Sequence, residues 1–146
     1  MGTDIHMVLE RRVGGKWIGW RTFDYLVISR REGLEIDDID PLPAALERNY
    51  TRFARLAGIR GDGPPPRGLP ADVSETTTGW IKYLGDDHSH SWLPLREAAA
   101  VFFETERWLD TEDDDFRKIR DPQEFFFGVS RYDDPDQYRL VFWFDN

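Results

Sequence analysis

The dipeptide Gly14-Gly15 divides two stretches of β-type sequence, and it constrains the fold more than any other feature of the chain. Ahead of it, Ile5, Met7 and Leu9 alternate with Asp4, His6, Val8 and Glu10, the pattern of a strand with one apolar and one polar face over residues 5–13. Behind it, Lys16-Trp17-Ile18-Gly19-Trp20 returns as a second strand. Paired glycines accept the positive φ angles of a two-residue turn without steric cost. The chain therefore begins as an antiparallel hairpin whose Ile5, Met7 and Leu9 face must be buried by elements later in the chain.

Those later elements begin with helical patterns. Leu46, Tyr50, Phe53 and Leu56 recur at helical spacing over residues 43–56, with Gly58 as the stop. Ser74 is a good N-cap for a short helix running to Leu84 and closed by Gly85. A further helix is expected over Leu93 to Trp108, with Pro94 in its first turn and Leu95, Ala98, Ala99, Phe102 and Phe103 on its apolar side. Residues 23–28 suit a short strand, and residues 110–120 a turn with a short helix. Gly61 to Pro70 is too rich in breakers for regular structure, and its prolines make a stiff loop that either frames a cleft or crosses the surface. Residues 124–132 and Tyr138 to Asp145 read as strands joined by the turn Asp133-Asp134-Pro135-Asp136.

The order hairpin, helices, hairpin predicts one α+β domain over residues 1–146. Its antiparallel sheet has four to five strands built from the N- and C-terminal hairpins, with helices packed on one face. The other face, carrying His6 and Glu10, is expected to be partly open. Six Trp and ten Phe supply bulky core material for a chain of 146 residues.

Composition removes several functions. With no cysteine there are no disulfides, thiolate zinc sites or cysteine nucleophiles. A net charge of −9 disfavours general nucleic-acid binding, because phosphates are repelled overall. The acidity lies in runs at 35–40, 110–115 and 133–136, which are either solvated loops or a surface that meets a basic partner. No apolar run is long enough to span a membrane, and residues 1–10 lack the features of a signal peptide, so the chain reads as cytoplasmic.

All three histidines fall in two short motifs that also carry aspartate, Asp4-Ile5-His6 and Asp86-Asp87-His88-Ser89-His90-Ser91. Residues two apart on an extended backbone share a face. Asp4 with His6, and His88 with His90, are so related, and two such pairs would give three nitrogens and one or two oxygens for a divalent metal such as zinc, manganese or iron. Asp87 would be a further ligand, a catalytic group or the carboxylate that orients an imidazole from behind. Glu10 is the candidate general base. A metal-free polar or catalytic cluster uses the same residues. In the plainer reading, Asp87 caps a turn, the histidines bond to backbone and Ser91 caps the next helix.

Arginines concentrate at Arg48, Arg52, Arg55, Arg60 and Arg67. Guanidinium groups suit phosphates and carboxylates. Asn49, Tyr50, Arg52 and Arg60 are accordingly candidate contacts for a small anionic ligand; the alternative is pairing with nearby acids. Trp92, beside the second histidine motif, is the candidate for stacking on a ligand ring, although most tryptophans serve the core.

Asp4-Ile5-His6, the segment Arg48-Asn49-Tyr50-x-Arg52-Phe53-x-x-Leu56-Ala57-Gly58-x-Arg60-Gly61, Arg67-Gly68-Leu69-Pro70-x-Asp72-Val73-Ser74 and Asp87-His88-Ser89-His90-Ser91-Trp92-Leu93 together resemble a family of small uncharacterised proteins from bacteriophages and bacterial genomes. The resemblance covers roughly residues 4–95 and leaves out the acidic, aromatic C-terminal part. It implies no reaction, but it implies a phage-type role such as interference with host defence. Two functions are thus expected: a metal-dependent hydrolase acting on a phosphorylated or nucleotide-like substrate, or a non-enzymatic protein that blocks a host protein through an acidic surface.

Overall fold

A computed structural model describes residues 2–23, 44–106 and 121–146. The hairpin is present as β1 (Asp4–Val13) and β2 (Lys16–Phe23), joined at Gly14 and Gly15 with φ of 59° and 77°. The two remaining strands are β3 (His88–Pro94) and β4 (Tyr138–Asp145). The sheet runs β2-β1-β4-β3, antiparallel at every pairing, so the C-terminal strand lies in the middle against β1. The α+β class and the antiparallel four-stranded sheet are those expected from the sequence.

Helix α1 (Tyr50–Ala57) is shorter than the expected helix over 43–56. A single 3-10 turn at Ala44–Leu46 precedes it, and Asn49 then restarts the chain as N-cap, its side chain accepting from the Arg52 N–H. Helix α2 (Glu75–Leu84) matches expectation, with Ser74 as cap and Gly85 as stop. Helix α3 (Leu95–Glu104) begins after Pro94 because Leu93 is still in β3, paired with Leu140. Helix α4 (Pro122–Phe127) replaces the expected strand over 124–132. Asp121 caps its first turn at Gln123 and Glu124, and Gly128 closes it at φ 67°. These end signals outweigh the β preference of three consecutive phenylalanines. The fourth strand comes instead from the histidine motif, whose composition suggests a loop. Residues 24–28, 35–40 and 107–120 lie outside the described residues.

Alternation along the strands sorts the side chains. Ile5, Met7, Leu9, Leu140, Phe142 and Phe144 form one core with Phe53, Leu56 and Ala57 of α1, with Leu95, Ala98, Ala99 and Phe102 of α3, and with Phe126 and Phe127 of α4. Each fully buried Leu, Ile, Met or Phe side chain among them contributes about 1.5–3 kcal/mol by leaving water.

The other face is less open than its polar residues suggest. Val8, Val141 and Trp143 are buried on it, and Glu10 is 0% exposed. The first turn of α2 closes over Glu10: Ser74 N and Thr77 Oγ1 donate to its Oε2 at 2.8 and 2.7 Å. Arg139 Nε donates to Oε1 at 2.6 Å, and Arg139 Nη1 reaches Asp72 at 2.8 Å. The Arg139 guanidinium also lies 4.2 Å from the Trp17 ring centroid and 5.9 Å from that of Trp92. The proline-rich loop ends against β3, where Gly68 N–H donates to the His90 carbonyl at 2.9 Å and Arg67 N–H to Ser91 Oγ at 3.0 Å. Among the described residues, no helix is long and apolar enough to cross a membrane.

Candidate functional site: two histidine–aspartate pairs about Trp143

The start of β1, the end of β4 and the start of β3 meet at one end of the sheet. Asp4-Ile5-His6 and the Asp/His motif are therefore neighbours, one on each side of β4. Their imidazoles nevertheless do not converge. His88 pairs with Phe144 and Ser91 with Phe142, three steps on β3 against two on β4. This is a β-bulge, and Ser89 in it has φ 56°. One extra residue reverses the facing of everything beyond it. The His88 ring lies 6.4 Å from Phe144 on the core face, whereas the His90 ring stacks on Trp143 of the opposite face at 6.5 Å and 29°.

His6 stacks on Trp143 from β1, at 5.9 Å and 27°. The indole thus stands between His6 and His90, whose strands are two spacings apart, about 10 Å. One ion with bonds near 2 Å cannot bridge that separation. Among the described residues, no three His, Asp or Glu side chains are grouped to hold a metal. The expected ligand set of Asp4, His6, His88 and His90 for zinc, manganese or iron does not fit this arrangement.

Each stacked imidazole instead has its own carboxylate. His6 Nε2 lies 2.5 Å from Asp145 Oδ2, and the His6 side chain is buried. His90 Nε2 lies 2.6 Å from Asp87 Oδ2, with both side chains about one quarter exposed. That contact is close but lacks hydrogen-bond geometry, and the buried Nε2 has no other partner among the described residues. The Trp143 indole Nε1–H is also buried and meets no acceptor among the described residues.

Positive charge borders the cluster on both sides. Arg48 donates to Asp4 through Nε at 2.6 Å and Nη2 at 3.1 Å. These bonds hold the Asp4 carboxyl below the usual carboxylate range. Toward the core face, Arg60 Nε donates to Thr3 Oγ1 at 2.9 Å, and Thr3 Oγ1 donates to Asn146 Oδ1 at 3.0 Å. His88 Nε2 lies 3.3 Å from the same Asn146 oxygen. Tyr50 Oη accepts from the Thr3 N–H at 3.3 Å, and the Arg60 guanidinium is 5.2 Å from the Tyr50 ring centroid. Tyr50 and Arg60 thus join His88 through Thr3 and Asn146.

Four expected site residues lie elsewhere. Glu10 is no accessible general base, since both its oxygens are engaged beneath α2. Arg52 is 0% exposed and cannot touch a ligand. It donates to Thr105 Oγ1 at 2.9 Å and to the Phe102 carbonyl at 2.8 Å, closing the C-terminal end of α3. Asn49 is buried beside it, capping α1 and donating to the Thr105 carbonyl at 2.7 Å. Trp92 lies between the guanidinium groups of Arg67 and Arg139, at 5.7 and 5.9 Å, and its ring serves those contacts.

Thr3, Trp143, Asp145 and Asn146 belong to the cluster without being evident from sequence motifs. The signal was present in a flush antiparallel register of β1 against Tyr138–Asp145, which sets Asp4 opposite Asp145 and His6 opposite Trp143. Comparison with protein-family models, with curated proteins and with solved structures returned no match.

Proposed function

We propose that the protein binds a small anionic molecule, phosphorylated or nucleotide-like, at the polar end of the sheet, and that the His90–Asp87 pair gives this site acid–base capacity without a metal. The observation that carries the reading is the gathering of all three histidines, each with an oxygen partner, around the end of β4. Arg48 and Arg60 border the same end and are suited to an anionic group. Asp87 beside Nε2 favours the proton on that nitrogen, which leaves His90 Nδ1 as the base toward a substrate or water. His6 is sealed from solvent and acts as a support for Trp143. The cytoplasm, where phosphorylated metabolites are plentiful, is the compartment this reading implies.

The test is thermal unfolding and proton-detected NMR of the histidine rings during titration with inorganic phosphate and adenosine monophosphate. A saturable shift of the His90 ring signals, abolished in Arg60→Gln, supports the site. Unmoved histidine signals together with an unchanged unfolding midpoint reject it. Hydrolysis is a separate outcome: phosphate release lost in His90→Gln and Asp87→Asn makes the site catalytic, and its absence with binding intact makes it a binding module.

A second reading is a protein that blocks a host partner through an acidic surface. Tyr132 is 85% exposed beside the exposed Asp133, Asp134 and Asp136, an aromatic anchor in an acidic turn of the kind interfaces use. Pull-down of one defined partner, lost in Tyr132→Ala, supports it; equal recovery by the variant rejects it.

A further inference from the structure

The ligand proposed above must satisfy two demands at the inner wall of its site, and they exclude a second anionic group. Trp143 Nε1 is a buried donor without an acceptor among the described residues, on a side chain that is 1% exposed. Leaving such a donor unpaired is costly, so an acceptor delivered by a ligand is favoured over an apolar group. His90 Nε2 on the adjacent stacked ring already has the Asp87 carboxylate 2.6 Å away, which leaves the indole N–H as the donor open to a ligand. The carboxylates of Asp145 and Asp87 adjoin the two imidazoles that stack on either side of the indole. A phosphate or carboxylate oxygen seated there would meet two negative charges at short range. An uncharged acceptor satisfies the indole N–H and escapes that repulsion.

We infer that the Trp143 indole N–H, with His90 beside it, is the recognition point for a neutral acceptor, an amide-type carbonyl or a ring nitrogen, on the same molecule whose anionic group faces the arginines. This rests on the proposed site and adds its polarity: charged group outward, uncharged heteroatom inward. Entry is by way of the segment 86–89, because Nε1 is closed to solvent in this structure. Asp87 of that segment lies against the His90 ring that stacks on the indole, and its Asp86 and Ser89 adopt φ of 50° and 56°. Non-glycine residues in the left-handed region are strained, so displacement of the segment releases strain.

Acetamide and acetate test the inference directly, because they share shape and differ in charge. The readout is the Trp143 indole 1H–15N signal, assigned through its NOEs to the His6 and His90 rings, so that no core variant is needed. Acetamide is expected to give a saturable downfield shift of that signal, with acetate giving none and the other indoles unmoved. An acetate shift equal to or larger than that of acetamide overturns the inference. So does a Trp143 signal unmoved by acetamide. If inorganic phosphate still shifts the His90 ring, that failure leaves the outer site standing; if nothing moves with any probe, both fall.

Discussion

His88 and His90, two residues apart in sequence, project from opposite faces of the sheet because Ser89 between them adopts a left-handed backbone inside a bulge. The bulge in β3 thus dissolves the metal site that the histidine spacing suggests.

Ser89 is consequently a sensitive position. Ser89→Val is expected to destabilise the fold by about 1–3 kcal/mol, because a β-branched residue fits φ near 56° poorly. Ser89→Gly is expected to be tolerated. Ser89→Ala separates loss of the hydroxyl, 3.0 Å from His88 Nδ1, from the backbone effect. Urea midpoints read all three, and a valine variant as stable as wild type would remove strain from the account.

The same geometry governs the response to added metal. Zinc or manganese added to protein without a histidine tag is expected to leave the unfolding midpoint in place, since an ion stabilises a fold only in proportion to its preference for the native state. A rise of several degrees at stoichiometric metal, lost in His6→Ala, would show that the imidazoles rearrange around an ion.

The Glu10–Arg139 pair should behave as structure. Arg139→Ala leaves the buried Glu10 carboxylate without its ion-pair partner and is expected to cost about 3–5 kcal/mol, read by chemical denaturation. Glu10→Ala leaves Arg139 paired with Asp72 and is expected to cost less. The double variant should cost less than the two singles together, because the orphaned charge is gone. Strict additivity would mean that the two groups do not act as a pair.

Acid sensitivity has a definite sign. Arg48 lowers the Asp4 carboxyl and Arg139 lowers that of Asp72. A folded pKa below the unfolded value means that the unfolded chain binds more protons in between. Stability from these groups is therefore present above about pH 4, near the unfolded aspartate value, and is lost as pH falls through the lowered folded values. Both carboxylates are well exposed, so the contribution is small and salt-sensitive. Arg48→Ala should flatten the acid limb of a plot of urea midpoint against pH; an unchanged limb would assign the acid sensitivity to other groups.

Much of the architecture could be read directly from residues. Gly14-Gly15, the Ser74 cap and the apolar run Leu140 to Phe144 each act locally, and each led to the element found. The fourth strand was hidden because local signals conflict there. Asp-Asp-His-Ser-His-Ser has turn composition, and only pairing with β4 makes it a strand. Likewise, 124–132 looks β-like by residue type, while Asp121 and Gly128 at its ends dictate a helical turn. For the site, nearness of the two histidine motifs was inferable, but the facing of His90 was not, since a single inserted residue decides it. Arg52 shows the opposite difficulty: a charged side chain reads as surface until the α3 carbonyl and hydroxyl that receive it are placed.

The tie between Gly68 and His90 has a consequence for self-association. An outermost strand with unpaired N–H and C=O groups invites another chain to add itself, and natural proteins block such borders. On β3 the incoming loop occupies part of that border through the Gly68 N–H. Pro64, Pro65 and Pro66, just before it, offer no N–H with which to recruit a newcomer. The loop therefore acts as a stopper against fibre-like growth on this side.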